Sequence, residues 1–376
     1  MATKLIELED GILVEAEVPD GEAKPISTND VKKVKSTFAQ VKPILVSISR
    51  PIAEAWQEIN QDMKIEQAEV EVGFNFEGEG NLYITKEKAG ASFQVKLVLK
   101  PSTPKPFEVI IVNNKGEEVN RSSHEVTSFT EDLGKGIMLE MVSIPGGTFV
   151  MGSPENEVEK DNAESPQHEV TIQPFSMSKY PITQDQYQAI MGENPSNFKG
   201  GKRPVETVTW KNAQKFCQKL SQKTQKTYKL PSESQWEYAC RAGTTTPFYF
   251  GDTITTDLVN YNGDYTYGDA PQGKFRGETT DVGSFPPNAF GLYDMHGNVW
   301  EWCQDIGHEN YEGAPNDGSA WETGGDSKVR VIRGGYWDDE PGNCRSASRL
   351  WGDADFSNDN RGFRVVYLLD ASIIDN

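Results

Sequence analysis

The sequence predicts an α+β protein in two parts: a small N-terminal α+β domain, then a larger, loop-rich one. Three observations point there. The chain has 376 residues, more than one ordinary domain of about 150 residues needs. Its first hundred residues place strand-like alternation on either side of one helix-periodic stretch. From Met138 onward, short apolar runs are cut by Gly, Pro, Asn and Asp, the residues that punctuate loops.

In the N-terminal part, residues 1–101, Leu5, Ile6 and Leu8 and then Ile12, Val14 and Ala16 flank Asp10-Gly11, a hairpin turn signal. A helix follows, capped by Thr28 or Asn29, with Val31, Val34, Phe38, Val41, Ile44, Leu45 and Ile48 on one side. Pro51 begins a second helical segment through Ile52, Trp56 and Ile59. Ala68, Val70, Val72, Phe74 and Phe76 alternate with polar or small residues, as do Phe93, Val95, Leu97 and Leu99, which predicts a sheet with one wet face. Pro101, Pro104 and Pro106 mark a linker, and residues 102–137 read as a connecting region with one strand, Phe107–Val112. Residues 113–135, polar and of mixed charge, are expected to be an arm with little core.

The second domain spans 138–369. Helices are expected over Thr183–Met191, Thr209–Thr224 and Ser232–Arg241, the last opened by a Ser-x-x-Gln capping box. The acidic run Glu155–Glu164 reads as a solvated loop. The formal charge of −20 disfavours nucleic acid and anionic membranes as partners. No run approaches the ~20 apolar residues of a membrane span, and the N-terminus lacks the apolar core of a signal peptide, so a cytoplasmic protein is expected. Cys217, Cys240, Cys303 and Cys344 lie far apart, without the spacing of a zinc or dithiol motif, and are expected as reduced, buried thiols.

Several ordered segments carry a resemblance: Met141–Gly152, Tyr180–Gln184, Arg203–Val208, Leu230–Ala239, Phe285–Trp302, Arg333–Gly335 and Arg361–Val366. Together they resemble the formylglycine-generating-enzyme family, sulfatase-modifying-factor type, a variant of the C-type lectin fold. The oxidases of that family need two closely spaced cysteines after the Arg-Gly-Gly segment to bind copper(I), a soft ion that favours thiolates. Only Cys344 stands there, so the resemblance implies no copper and no catalytic residues here. It also implies a structural Ca²⁺ held by the side chains of Asp294 and Glu301 and the carbonyls of Gly297 and Val299; a capped turn without an ion is the alternative. His296, in the same segment, reads as structural.

Residues 329–365 combine a framework (Val331–Gly335, Cys344–Ala347, Gly362–Val365) with an aperiodic mixture of aromatic, small and acidic residues. These are Tyr336, Asp338, Asp339, Glu340, Gly342, Ser348, Leu350, Trp351, Gly352, Asp353, Phe356, Ser357, Asp359 and Arg361. Rigid aromatic anchors among adaptable polar contacts make a paratope-like palette. The stretch resembles the variable region of proteins diversified by retroelements, in which asparagine codons are altered; Asn343, Asn358 and Asn360 fit that pattern, whereas Trp351 and Glu340 are not easily reached from such codons. Trp351 and Phe356 are expected to be exposed, and Trp337, Arg345 and Arg349 structural. The N-terminal part resembles a small domain found beside trypsin-like proteases and NTPases in bacterial conflict and signalling systems, on the strength of Leu5–Glu9, Val70–Phe76 and Ala91–Val98.

The expected function is non-catalytic binding of a protein ligand through this variable surface, with the N-terminal domain docking a signalling or defence partner. One alternative is an oxidase-type enzyme with altered catalytic residues. Another is a module packed permanently against an adjacent subunit.

Overall fold

The structure is a computed structural model; it describes the backbone of residues 2–7, 13–18, 68–77, 81–85 and 93–99, and residues 106–367 in full. The chain divides into two compact units, Met1–Thr103 and Pro104–Asn376.

The first unit contains β1 (Ala2–Glu7), β2 (Leu13–Val18), β3 (Ala68–Glu77), β4 (Asn81–Thr85) and β5 (Phe93–Leu99), in an antiparallel sheet of order β1-β2-β5-β3-β4. The expected hairpin pairs in register, Leu5 opposite Glu15 and Ile6 opposite Val14. β4 is an addition: three apolar residues, Leu82, Tyr83 and Ile84, are too few to show alternation. The Asp10-Gly11 turn and the expected helices between 28 and 59 lie outside the described residues.

The second unit begins earlier than expected. β6 (Phe107–Val112) and β7 (Glu118–His124) form a hairpin, and β8 (Ser128–Asp132) pairs with β9 (Met138–Ile144). Residues 113–135 are thus not an arm with little core. Leu133 is buried in one hydrophobic cluster, against which Phe129 packs, and Val126 packs against another. The hairpin supplies few apolar side chains, but Val112 N–H donates to Phe250 O at 2.7 Å, which ties it to the body of the domain.

Next come β10 (Gly147–Met151), β11 (His168–Ile172), β12 (Phe175–Ser178), α1 (Gln184–Met191), α2 (Trp210–Thr224), β13 (Tyr228–Lys229) and α3 (Glu233–Arg241). The last strands are β14 (Trp300–Gly307), β15 (Asp326–Arg333), β16 (Arg349–Asp353), β17 (Arg361–Gly362) and β18 (Val366–Tyr367). They build a five-stranded sheet β13-β18-β12-β9-β8, a four-stranded sheet β16-β15-β14-β17 and the ribbon β10-β11. Among the described residues, α1, α2 and α3 each open with a reciprocal capping box, Thr183 with Gln186, Thr209 with Asn212 and Ser232 with Gln235. Among the described residues no helix is long and apolar enough to cross a membrane.

Short strands bury little, and aromatic packing supplies much of the core. Trp236 and Trp302 are fully buried, and Tyr187 stacks on Phe216 with ring centroids 5.7 Å apart. All four cysteines are buried free thiols. A set of buried ion pairs clamps the loops to this core. Arg349 forks onto Glu233, both bonds at 2.7 Å. Arg333 reaches Glu237, and Arg345 bonds both Glu164 oxygens at 2.7 and 2.8 Å. Burial works against the charge of Arg345, but Glu164 and Glu157 outweigh it and hold its pKa above the ordinary arginine value. The segment Glu155–Glu164 is therefore not simply solvated: its Glu157 and Glu164 side chains turn inward to that guanidinium. Such pairs orient a loop firmly, because removing one partner strands a charge in the interior.

Candidate functional site

The four-stranded sheet ends in β16, an edge strand paired only with β15 within its sheet. Its register sets Leu350 opposite Ile332, Trp351 opposite Val331, Gly352 opposite Arg330 and Asp353 opposite Val329. Side chains alternate between faces. Leu350 and Gly352 therefore share one face with Arg330 and Ile332, while Trp351 and Asp353 share the other with buried Arg349. Leu350 is 45% exposed, Trp351 39% and Phe356, just beyond the strand, 54%. Trp351 nevertheless rests on the frame: its ring lies over Arg349, 5.7 Å from the guanidinium carbon to the centroid.

The fourteen sequence-selected residues separate by depth. Glu340, Leu350, Trp351, Asp353 and Phe356 are exposed; Tyr336, Asp338, Ser357, Asp359 and Arg361 are half-buried. Asp339, Gly342, Ser348 and Gly352 lie beneath the surface, which corrects their placement as contact residues. Each has an internal task. Asp339 accepts the Tyr336 N–H at 3.1 Å and the Asn343 Nδ2 bond at 3.0 Å. Burial, only partly offset by these bonds, pushes its carboxyl up to about 7. A Cβ on Gly342 would collide with Glu159, and the Ser348 carbonyl accepts from Arg333. As expected, Arg345 and Arg349 are buried; Trp337 is half-buried and donates to Asp359 O at 3.3 Å.

Two neighbouring surfaces emerge. One is the β16 edge with Phe356 and Arg361. The other is a corner where Asp338 accepts from Asn262 at 3.0 Å and Phe198 meets Trp337 edge-on. This corner adjoins a hollow of about 470 Å³ lined by Pro195, Ser196, Asn197, Lys199, Thr207, Ser357, Asn358 and Asp359. The segment 356–361 joins the two. Sequence reading missed Arg330, Trp210 and the Ser196–Asn197 side of the hollow, because only the tertiary fold brings them beside residues 336–361.

Asp294 and Glu301 lie in the interior. Asp294 Oδ2 accepts the Gly283 N–H at 2.7 Å, and Glu301 Oε2 accepts from Trp236 Nε1 and Arg364 Nε, both at 2.7 Å. Asp294 Oδ1 and Glu301 Oε1 are buried and unpartnered. Burial pushes Asp294 up to about 6, with the charge of Glu301 contributing. Two orphaned carboxylate oxygens against the single charge of Arg364 suit a hard cation. Among the described residues no three His, Cys, Asp or Glu side chains are grouped to hold a metal, so backbone carbonyls would have to complete a shell. The Gly297 carbonyl already accepts the Val299 N–H at 2.9 Å. His296 is structural: Nδ1 lies 2.6 Å from Cys344 O, and Nε2 lies 3.1 Å from the Tyr249 N–H, as a neutral ring allows. Burial drops its pKa to about 3. At Cys344, burial raises the thiol well above its ordinary value, a setting for an inert thiol.

Comparison with known proteins gives two family matches. Residues 130–369 match the sulfatase-modifying factor enzyme 1-like domain, and residues 6–101 match the trypsin-co-occurring domain 1. Among curated proteins, serine/threonine-protein kinase pkn1 of Chlamydia pneumoniae is 30% identical over 258 residues, 61% of this chain and 38% of the relative. The chain thus spans about two fifths of that kinase. Inactive C-alpha-formylglycine-generating enzyme 2 of Bos taurus is 27% identical over 62% of this chain and 90% of the relative. Among solved structures, PvdO from Pseudomonas aeruginosa superposes with a TM-score of 0.57 at 34% identity, covering 64% of this chain and 98% of its own. Treponema denticola variable protein 1 superposes at 0.53 and 24% identity with the same coverages, a likeness of fold.

Proposed function

The chain belongs to the sulfatase-modifying factor enzyme 1-like family, and we propose that it is a non-catalytic member, a binding protein whose ligand, a protein, docks on the β16 edge and the adjoining corner. The observation that carries this reading is the contrast in depth within residues 336–361. Large apolar side chains at 350, 351 and 356 face solvent, while Asp339, Arg345 and Arg349 of the same segment are buried beneath the surface. Aromatic and aliphatic anchors on a rigid frame suit the binding of protein surfaces, since little order is lost on contact. The lone buried Cys344 in place of a cysteine pair, and a relative named as inactive, support the absence of oxidase chemistry. The N-terminal domain, by this proposal, couples binding to a signalling or defence partner.

A library randomised at Leu350, Trp351, Asp353 and Phe356 tests the division between frame and surface. Most members are expected to melt within a few degrees of wild type while ligand selection enriches particular sequences. General unfolding of the library would overturn the reading. The gene's neighbourhood tests the diversification: a near-copy of the 329–365 codons, differing at template adenines beside a reverse transcriptase, is expected.

We also propose a structural Ca²⁺ at Asp294 and Glu301, with the Gly297 and Val299 carbonyls. Its role would be to neutralise the two orphaned carboxylate oxygens. Chelation is expected to lower the melting temperature by several degrees and added Ca²⁺ to restore it; an unchanged melt at equal ionic strength would rule the ion out.

A further inference from the structure

We propose that Arg330 and Arg361 form a clasp for carboxylate groups, so that the segment bound at the β16 edge is an acidic stretch of a partner protein. The inference rests on the binding role given above and adds the chemistry of the ligand.

Both guanidinium groups are left without an acceptor. Nε and Nη1 of Arg330 and Nε and Nη1 of Arg361 are buried and unpartnered. Arg333, Arg345, Arg349 and Arg364, by contrast, all end on glutamates. In a chain with 57 acidic and 37 basic residues, two arginines without an ion pair are the scarcer arrangement.

Each guanidinium is held by aromatic rings rather than by anions. The Arg330 guanidinium carbon lies 4.1 Å from the centroid of Trp210, and that of Arg361 lies 5.2 Å from both Trp302 and Phe356. Stacking fixes the plane of a guanidinium and leaves its in-plane N–H groups free for a fork-to-fork bond with a carboxylate.

Gly352 links the two. It stands opposite Arg330 in the β15–β16 register, so the two positions share one face. A Cβ on Gly352 would lie 2.7 Å from Arg361 Nη1. The glycine therefore lets the Arg361 guanidinium lie directly over the β16 backbone, on the face and beside the register position of Arg330. Burial lowers the pKa of both arginines below the ordinary value, Asp353 opposing this at Arg361 and Glu322 and Asp305 at Arg330. Lys211 is taken up by Asp355 at 2.6 Å. With Asp353 and Glu322 nearby, the excess positive charge is small. It suits singly charged carboxylates, whereas a dianion such as phosphate would meet those acids.

The test uses the full chain and two fluorescent peptides, a Glu/Leu decamer and its Gln/Leu counterpart, with inorganic phosphate as competitor. Wild type is expected to prefer the acidic peptide at least tenfold, and an Arg330→Gln, Arg361→Gln variant to lose that preference while melting like wild type. Arg330→Lys is the fallback if the double variant does not fold: it keeps the charge but not the fork, and is expected to lose part of the preference. Equal binding of both peptides, no binding of either, a preference retained in the double variant, or phosphate competing as well as free glutamate would each overturn the clasp. A Leu350→Ser, Phe356→Ser variant separates the two ideas. If it loses both peptides while the arginine variants lose nothing, the binding face stands and the clasp falls; if it too loses nothing, both fall.

Discussion

Asp339 shows how a surface segment can be governed from below. Its carboxylate organises the turn from Tyr336 to Asn343, yet burial pushes its pKa up to about 7, against an ordinary carboxylate near 4. A carboxyl with a raised pKa in the fold is protonated more readily folded than unfolded. Its contribution is thus most favourable below pH 4 and is lost as pH rises from about 4 to about 7. Urea unfolding at pH 4.5 and 7.5 should show Asp339→Asn gaining on wild type at the higher pH by about 1–3 kcal/mol, since each tenfold change in proton affinity is worth about 1.4 kcal/mol. A pH-independent difference between the two proteins would remove Asp339 as the source. The same residue marks a limit of sequence reading. An Asp between aromatic and small residues looks like a contact in a string of letters, and only depth distinguishes it from Asp353, which is exposed.

At the scale of elements, α1, α2 and α3 were legible because their signals are local. Thr183, Thr209 and Ser232 each stand three residues before a side chain that caps them in return, and the observed helices start one residue after each. Ser232→Ala, which removes the acceptor for the Gln235 N–H, is expected to cost about 1 kcal/mol, read as a lower urea midpoint. An unchanged midpoint would mean that the buried surroundings of α3, and not its cap, hold the first turn. β16 is the opposite case. It is five residues long, bears no alternation strong enough to announce a strand, and is placed by pairing with β15. The β6–β7 hairpin was half legible: β6 carries the apolar pattern, while β7 has none and forms because β6 offers it a ladder.

At the scale of the whole molecule, the two-part organisation, the family of the larger part and its three helices are written in the order of residues. Those properties rest on composition, on caps three residues apart and on motifs read in order. Long-range packing chose which of residues 336–361 face solvent. It assigned Glu157 and Glu164 to Arg345, 188 and 181 residues away. It also laid Arg361 over Gly352, the register partner of Arg330. Pairings at such separations leave no periodic trace in the chain. They are selected because a charge or ring carried inward by the fold is stable only beside the partner the fold brings to it.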